Sequence, residues 1–142
     1  MNQNKTIHNC RMKMADLVAA DISLLSILQR LGLKLGFGEA TVGEVCSRCG
    51  ISVDLFIIIC NIYSFSDYEP NVASLGREDA VNITAYLRAS HRYYTTVCFP
   101  PLHAKIHSLV KQLDDVSRRL IDKFFDDYDS EVCNHFKYEE EV

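Results

Sequence analysis

The chain has 142 residues, a formal net charge of −4, and a composition that is 48% hydrophobic and 24% charged. That length suffices for one core or two small units, and the acidic balance speaks against a broad nucleic-acid surface, which needs clustered Lys and Arg. No apolar run approaches the ~20 residues of a bilayer-spanning helix, and the polar residues 1–6 carry no signal-like apolar segment, so a cytoplasmic protein off the membrane is expected.

The dominant hydrophobic period is helical, and with only six Gly and three Pro an all-α fold is expected. Residues 1–12 read as a loose tail. Residues 14–31 carry Leu17, Val18, Ile22, Leu24, Leu28 and Leu31 on a wide apolar face, with Asp21 placed to cap a second short helix inside the segment. Gly32, Gly36 and Gly38 break that pattern. Thr41, followed three residues on by Glu44, predicts a capping box for a helix over 42–49; Gly50 ends it, and Ser52 caps the next, 53–65. Residues 66–78, with Pro70, Asn71 and Gly76, read as a linker. The chain therefore divides into a tail with a small helical subdomain (1–65), the linker (66–78) and a helical hairpin (79–142). Asp79 is expected to begin a long helix over 80–98. Phe99-Pro100-Pro101 interrupts it, because proline removes a backbone donor and restrains its predecessor, so a kink or a new start belongs there. Residues 102–113 continue helically, and Asp114-Asp115 cap a last helix from 116 onward. Its apolar stripe, Leu120, Ile121, Phe124, Phe125, Tyr128 and Val132, leads into His135 and Glu139, which are expected to point inward with it.

His135 and Glu139 are four apart, which on a helix puts imidazole and carboxylate on one face. His91, between Leu87 and Tyr94 on one face, is expected to point inward as well. A single inward histidine is more often a hydrogen-bonded core residue than a ligand, and a Glu run is usually a solvated helix end. A buried carboxylate nevertheless needs compensation, and a cation shared with two histidines supplies it. His103 and His107 form a second i, i+4 pair that could bind metal, but surface histidines or histidines behind a ligand are the favoured reading. Cys46-Ser47-Arg48-Cys49 is a CxxC, but half a zinc site at most; Cys46 continues an apolar stripe, so a structural role is expected, and the six cysteines are read as reduced thiols. Residues 41–56 also have the outline of a helix-turn-helix. Its second helix begins with Asp54 and continues Leu55-Phe56-Ile57-Ile58-Ile59 without a basic residue, which suits a core or interface helix better than a reader of base edges.

From residue 82 onward the chain resembles the hemerythrin-like (HHE) domain, through Tyr86-Leu87-Arg88-Ala89-Ser90-His91, Phe99-Pro100-Pro101-Leu102 and His135-Phe136-Lys137-Tyr138-Glu139-Glu140. Residues 15–63 resemble the small helical domain that precedes such bundles in di-iron proteins of iron–sulfur cluster repair, through Met14-Ala15-Asp16-Leu17-Val18-Ala19-Ala20-Asp21, Leu28-Gln29-Arg30-Leu31-Gly32-Leu33 and Thr41-Val42-Gly43-Glu44-Val45-Cys46. The resemblance implies a small N-terminal subdomain followed by two long antiparallel helices, half of a four-helix bundle. It implies a non-haem di-iron cofactor with His91 and His135 as histidine ligands and Glu139 as bridging carboxylate, and a role in nitrosative or oxidative stress response or iron–sulfur cluster repair. Whether the protein is an enzyme stays open. The family's full bundle has two more helices, with a further His and a second His-x-x-x-Glu, absent here. The adjacent cysteines of the repair proteins' small domain are replaced by Gly36-Phe37-Gly38-Glu39. Two expectations follow. Either the chain is a piece of a longer protein that binds iron poorly, or two chains form a homodimer that completes the bundle. The alternative is a metal-free helix-turn-helix-like or protein-interaction module.

Overall fold

The computed structural model describes residues 7–141; the polar run 1–6, on which the lack of a signal-like segment was read, and Val142 lie outside the described residues. Among the described residues the fold is all-α, with no strand and one isolated antiparallel bridge, Lys13 with Thr41. None of these helices is long and apolar enough to cross a membrane. The chain divides into two compact units inside a helix, between Tyr86 and Leu87.

The N-terminal unit holds α1 (Met14–Ala20), α2 (Leu25–Arg30), α3 (Val42–Cys49) and α4 (Val53–Ser64), and the start of α5 (Arg77–Tyr93). The sequence signals fall where they were expected. Asp21 ends α1 and accepts from Ser23 N to start a 3₁₀ turn, Ile22–Leu24, that leads into α2. Thr41 and Glu44 form the capping box, and Gly50 closes α3 in the left-handed conformation, φ 67°, that glycine adopts at no steric cost. Ser52 caps α4 through Leu55 N. Met14, Leu17, Leu24, Ile27, Leu28, Val42, Cys46, Phe56 and Cys60 form a sealed core. The guanidinium of Arg30 lies over the Tyr86 ring, 5.0 Å from its centroid.

The segment before α1 departs from the loose tail expected. His8 is buried, and the Asn61 side chain of α4 grips its backbone at both ends: His8 N donates to Asn61 Oδ1 (2.9 Å) and Asn61 Nδ2 donates to His8 O (3.2 Å). Asn61 thereby satisfies both backbone amide groups of His8, while Cys10 O and Met12 O accept from Gly43 N and Val42 N at the start of α3. The grip joins residues 53 apart, which no local pattern announces.

The C-terminal unit is a helical hairpin. The last turns of α5 pass into a π-helical turn, Tyr94–Cys98, then α6 (Phe99–Val110) and α7 (Asp115–Glu141). Pro100 and Pro101 sit in the first turn of α6, where a missing N–H costs little. Upstream, the register shifts to π, and the Thr95 and Thr96 hydroxyls donate back to His91 O (2.8 Å) and Arg92 O (2.6 Å). The proline interruption is thus a register shift inside a nearly continuous helix. α5 begins at Arg77, two residues before Asp79, because the Asp79 carboxylate reaches back to accept from Gly76 N at 2.7 Å. Asp114 caps α7, accepting from Val116 N and Ser117 N at 3.0 Å.

Candidate metal centre of the hairpin

Antiparallel pairing brings the end of α7 beside the last turn of α5. His91 is buried there: its Nε2 lies 3.2 Å from Glu139 Oε2, its Nδ1 lies 3.1 Å from Glu140 Oε1, and its ring stacks on Phe136 at 4.1 Å between centroids. The second oxygen of Glu139 meets His135: Glu139 Oε1 stands 3.0 Å from His135 Nε2, one helical turn away. One carboxylate therefore lies between two imidazoles, and His91, His135 and Glu139 lie side by side.

Two features differ from the expectation. His135 does not point inward: its side chain is 63% exposed, against 10% for His91. It lies seven residues beyond Tyr128, on a stripe whose earlier members, Val116 (75% exposed), Leu120 (71%) and Phe124 (62%), are also open to solvent. The single inward stripe expected of α7 is in fact two adjacent ones. Ile121, Phe125, Val132 and Phe136 are half-buried in the hairpin, while Leu120, Phe124 and Tyr128 face out. The period shows that both are apolar, but not which one α6 covers. The second difference is Glu140. Read from sequence as part of a solvated run, it holds the other nitrogen of His91, while Arg88 Nη2 donates to the Glu140 carbonyl at 3.3 Å. The missed signal is its spacing: Glu140 is four residues after Phe136, the ring on which His91 lies.

The donor set suits a metal in kind. A histidine that donates one ring N–H to a carboxylate presents its other nitrogen as a ligand of fixed tautomer, and two imidazoles with a bridging-capable carboxylate match non-haem iron. As the side chains lie, the nitrogens point at carboxylate oxygens, and among the described residues no group of three or more His, Cys, Asp or Glu stands arranged around one point.

The other sequence motifs fall elsewhere. Cys46 is buried, and burial, with a lesser contribution from Cys49, pushes its thiol up to about 11. Cys49 is exposed, so the CxxC is no ready thiolate pair. The second helix of the helix-turn-helix outline, α4, buries Leu55, Phe56, Ile58, Cys60 and Asn61. His103 and His107 lie on α6, where His103 Nε2 approaches Asp129 Oδ2 of α7 at 2.7 Å.

No family model matches the chain, and neither a curated protein nor a solved structure matches it. The hemerythrin-like resemblance therefore rests on the residues quoted for it.

Proposed function

We propose that the hairpin pairs with a second copy to form a four-helix bundle that binds non-haem di-iron, each chain contributing His91, His135 and Glu139. The observation that carries this reading is the Glu139 carboxylate lying between two histidines, one of them buried and held from behind by Glu140. Three donors are few for two irons, and His135 stands on the open apolar stripe of α7, where a second hairpin would cover it. Iron held there supplies open coordination positions for oxygen, nitric oxide or water. Glu140 fixes the His91 ring, Phe136 shields one face of it from water, and the apolar stripe excludes solvent once paired. A place in nitrosative or oxidative stress response or iron–sulfur cluster repair follows from the resemblance alone.

The occupant of the stripe is argued from charge as well as from the donors. Each α7 ends in Glu139-Glu140-Glu141, so a bundle in which two such ends share one site repels itself unless cations sit between them. Assembly and metal are therefore linked: iron that binds the dimer alone tightens it. The test is metal analysis and sedimentation of untagged protein produced in iron-supplemented medium. Wild-type chain is expected to carry iron and to dissociate on chelation, and His135→Ala to lose most of the iron. Unchanged iron in His135→Ala overturns the site. A dimer indifferent to chelation and to His135→Ala favours the second reading, a metal-free interaction module built on the same exposed stripe.

A further inference from the structure

We propose that the polar flank of the hairpin is a second divalent-cation site, built from His103 and His107 of α6 and Asp126 and Asp129 of α7, with Asp122 beside them. It is independent of the bundle site, from which it differs in residues, position and face.

The residues come together for a geometric reason. His103 and His107 are four apart, so their Cβ atoms stand about 5–6 Å from one another on one face. Asp122, Asp126 and Asp129 follow each other at four and three, and so also share a face. In the antiparallel hairpin these faces meet: His103 approaches Asp129, and His103, His107, Asp122 and Asp126 line one cleft of about 300 Å³, floored by Ile106 and Phe125. At 100° per residue, Leu102 and Leu109 lie roughly 100–160° round α6 from these histidines, and Leu120 and Phe124 roughly 120–160° round α7 from Asp126. The cleft therefore opens on the flank away from the apolar stripe, and pairing through that stripe leaves it accessible.

Acids outnumber cations there. Lys123 holds Asp127 at 2.7 Å and feels the charge of Asp126 only at longer range. Among the described residues neither Asp122 nor Asp126 has a cationic partner within ion-pair distance, and His107 has no hydrogen-bond partner. His103 Nε2 is shielded from solvent and close to Asp129, yet it is not aligned with it as a hydrogen bond. A nitrogen so placed gains from a Lewis acid what the carboxylate contact does not give it. As the side chains lie, no three donors among the described residues surround one point. Binding closes the set by rotamer changes of His107 and Asp126, both exposed at the cleft mouth. Two imidazole nitrogens with two carboxylate oxygens form a donor set that suits zinc and its first-row neighbours in four-coordinate geometry.

The experiment uses the full chain with Zn(II) and Co(II) as the only probes, read by equilibrium dialysis and by the visible d–d absorption of cobalt. The His135→Ala/Glu139→Ala chain, which lacks the bundle site, is expected to retain about one zinc and the cobalt spectrum. His107→Ala and Asp126→Asn, both surface changes, are expected to lower zinc affinity at least tenfold, since loss of even an outer partner of a ligand costs 10–100-fold. Circular dichroism confirms that each variant keeps its helices. A wild-type chain that takes up no zinc, or His107→Ala and Asp126→Asn chains that bind it as wild type does, overturns the proposal. So does a His135→Ala/Glu139→Ala chain that binds none. Iron lost from the bundle site with zinc retained here separates the two sites' failures.

Discussion

The two units of this chain are built from similar helices and differ in what they bury. In the N-terminal unit short helices of six to twelve residues enclose a core in which Met14, Leu17, Leu24, Ile27, Val42, Cys46, Phe56 and Cys60 are sealed from solvent. In the hairpin the 27-residue α7 has no buried residue, and among the described apolar residues of that unit Val110 alone is buried. Helices of this length are not made stable by propensity; they need an apolar face covered. The N-terminal unit covers most of its own, leaving Ile22, Leu35 and Ile62 exposed around the sealed core. The hairpin covers one stripe of α7 and leaves its neighbour, with Leu102 and Leu109 of α6 and Leu113 of the turn that follows, in water. Hydrophobic period thus reports which faces require cover, not where the cover comes from.

The most severe way to break this comparison is to empty a position of each unit. Phe56 is fully sealed, and Phe56→Ala is expected to destabilise the N-terminal unit by about 3–5 kcal/mol. Phe124, of the same residue type but open, is expected to change the unfolding free energy of the monomeric chain by no more than about 0.5 kcal/mol when replaced by Ala. Urea unfolding followed by circular dichroism, at concentrations where the chain is monomeric, measures both. A Phe124→Ala loss approaching that of Phe56→Ala would show that the hairpin has a core of its own.

A second substitution sharpens the contrast from the other side. Leu120→Arg places a charge in the middle of the open stripe. It is expected to weaken self-association by about 2 kcal/mol or more, the loss seen at the few central residues that dominate an interface, with the far-ultraviolet spectrum of the monomer unchanged. Sedimentation equilibrium reads the shift. An unaltered dimer would remove the stripe as the interface.

The same contrast explains what was legible in the sequence. Caps and stops were, because they are local: Asp21, Thr41 with Glu44, Gly50, Ser52 and Asp114 each act within four residues of where they stand. The contact of His135 with Glu139 was legible through helical spacing, since residues four apart meet on one face. The grip of Asn61 on His8 was not, since an asparagine inside an apolar helix gives no sign of its distant partner. Nor was the role of Glu140, because a run of three glutamates looks alike at every position until the stacking of Phe136 on His91 selects one. The exposure of His135 was misjudged for a physical reason: α7 is apolar over a wide arc, and α6 is too narrow to cover all of it.

The smallest effect is the most local. The capping box of α3 joins Thr41 Oγ1 to Glu44 N at 3.2 Å and Thr41 N to Glu44 Oε2 at 2.8 Å. Thr41→Ala removes the hydroxyl and is expected to cost about 1 kcal/mol. The Glu44 carboxyl is held below its ordinary range, first by the Thr41 backbone N–H and then by the Thr41 hydroxyl. A carboxylate whose value is lower folded than unfolded adds stability above the unfolded value, about 4.3, and loses it as pH falls through the folded one. Wild type is therefore expected to exceed Glu44→Gln in stability near neutral pH, by less than the Thr41→Ala loss, with the difference closing below about pH 4. The same exchange at Asp114, whose carboxyl is lowered chiefly by the Ser117 hydroxyl, is expected to follow the same sign but to fray only the start of α7. Thermal melts at pH 3 and pH 7 measure both. A cap in the sealed unit is coupled to a core and is lost with it; a cap in the hairpin is not. An Asp114→Asn chain whose N-terminal unit also melts earlier would show that the two units unfold as one.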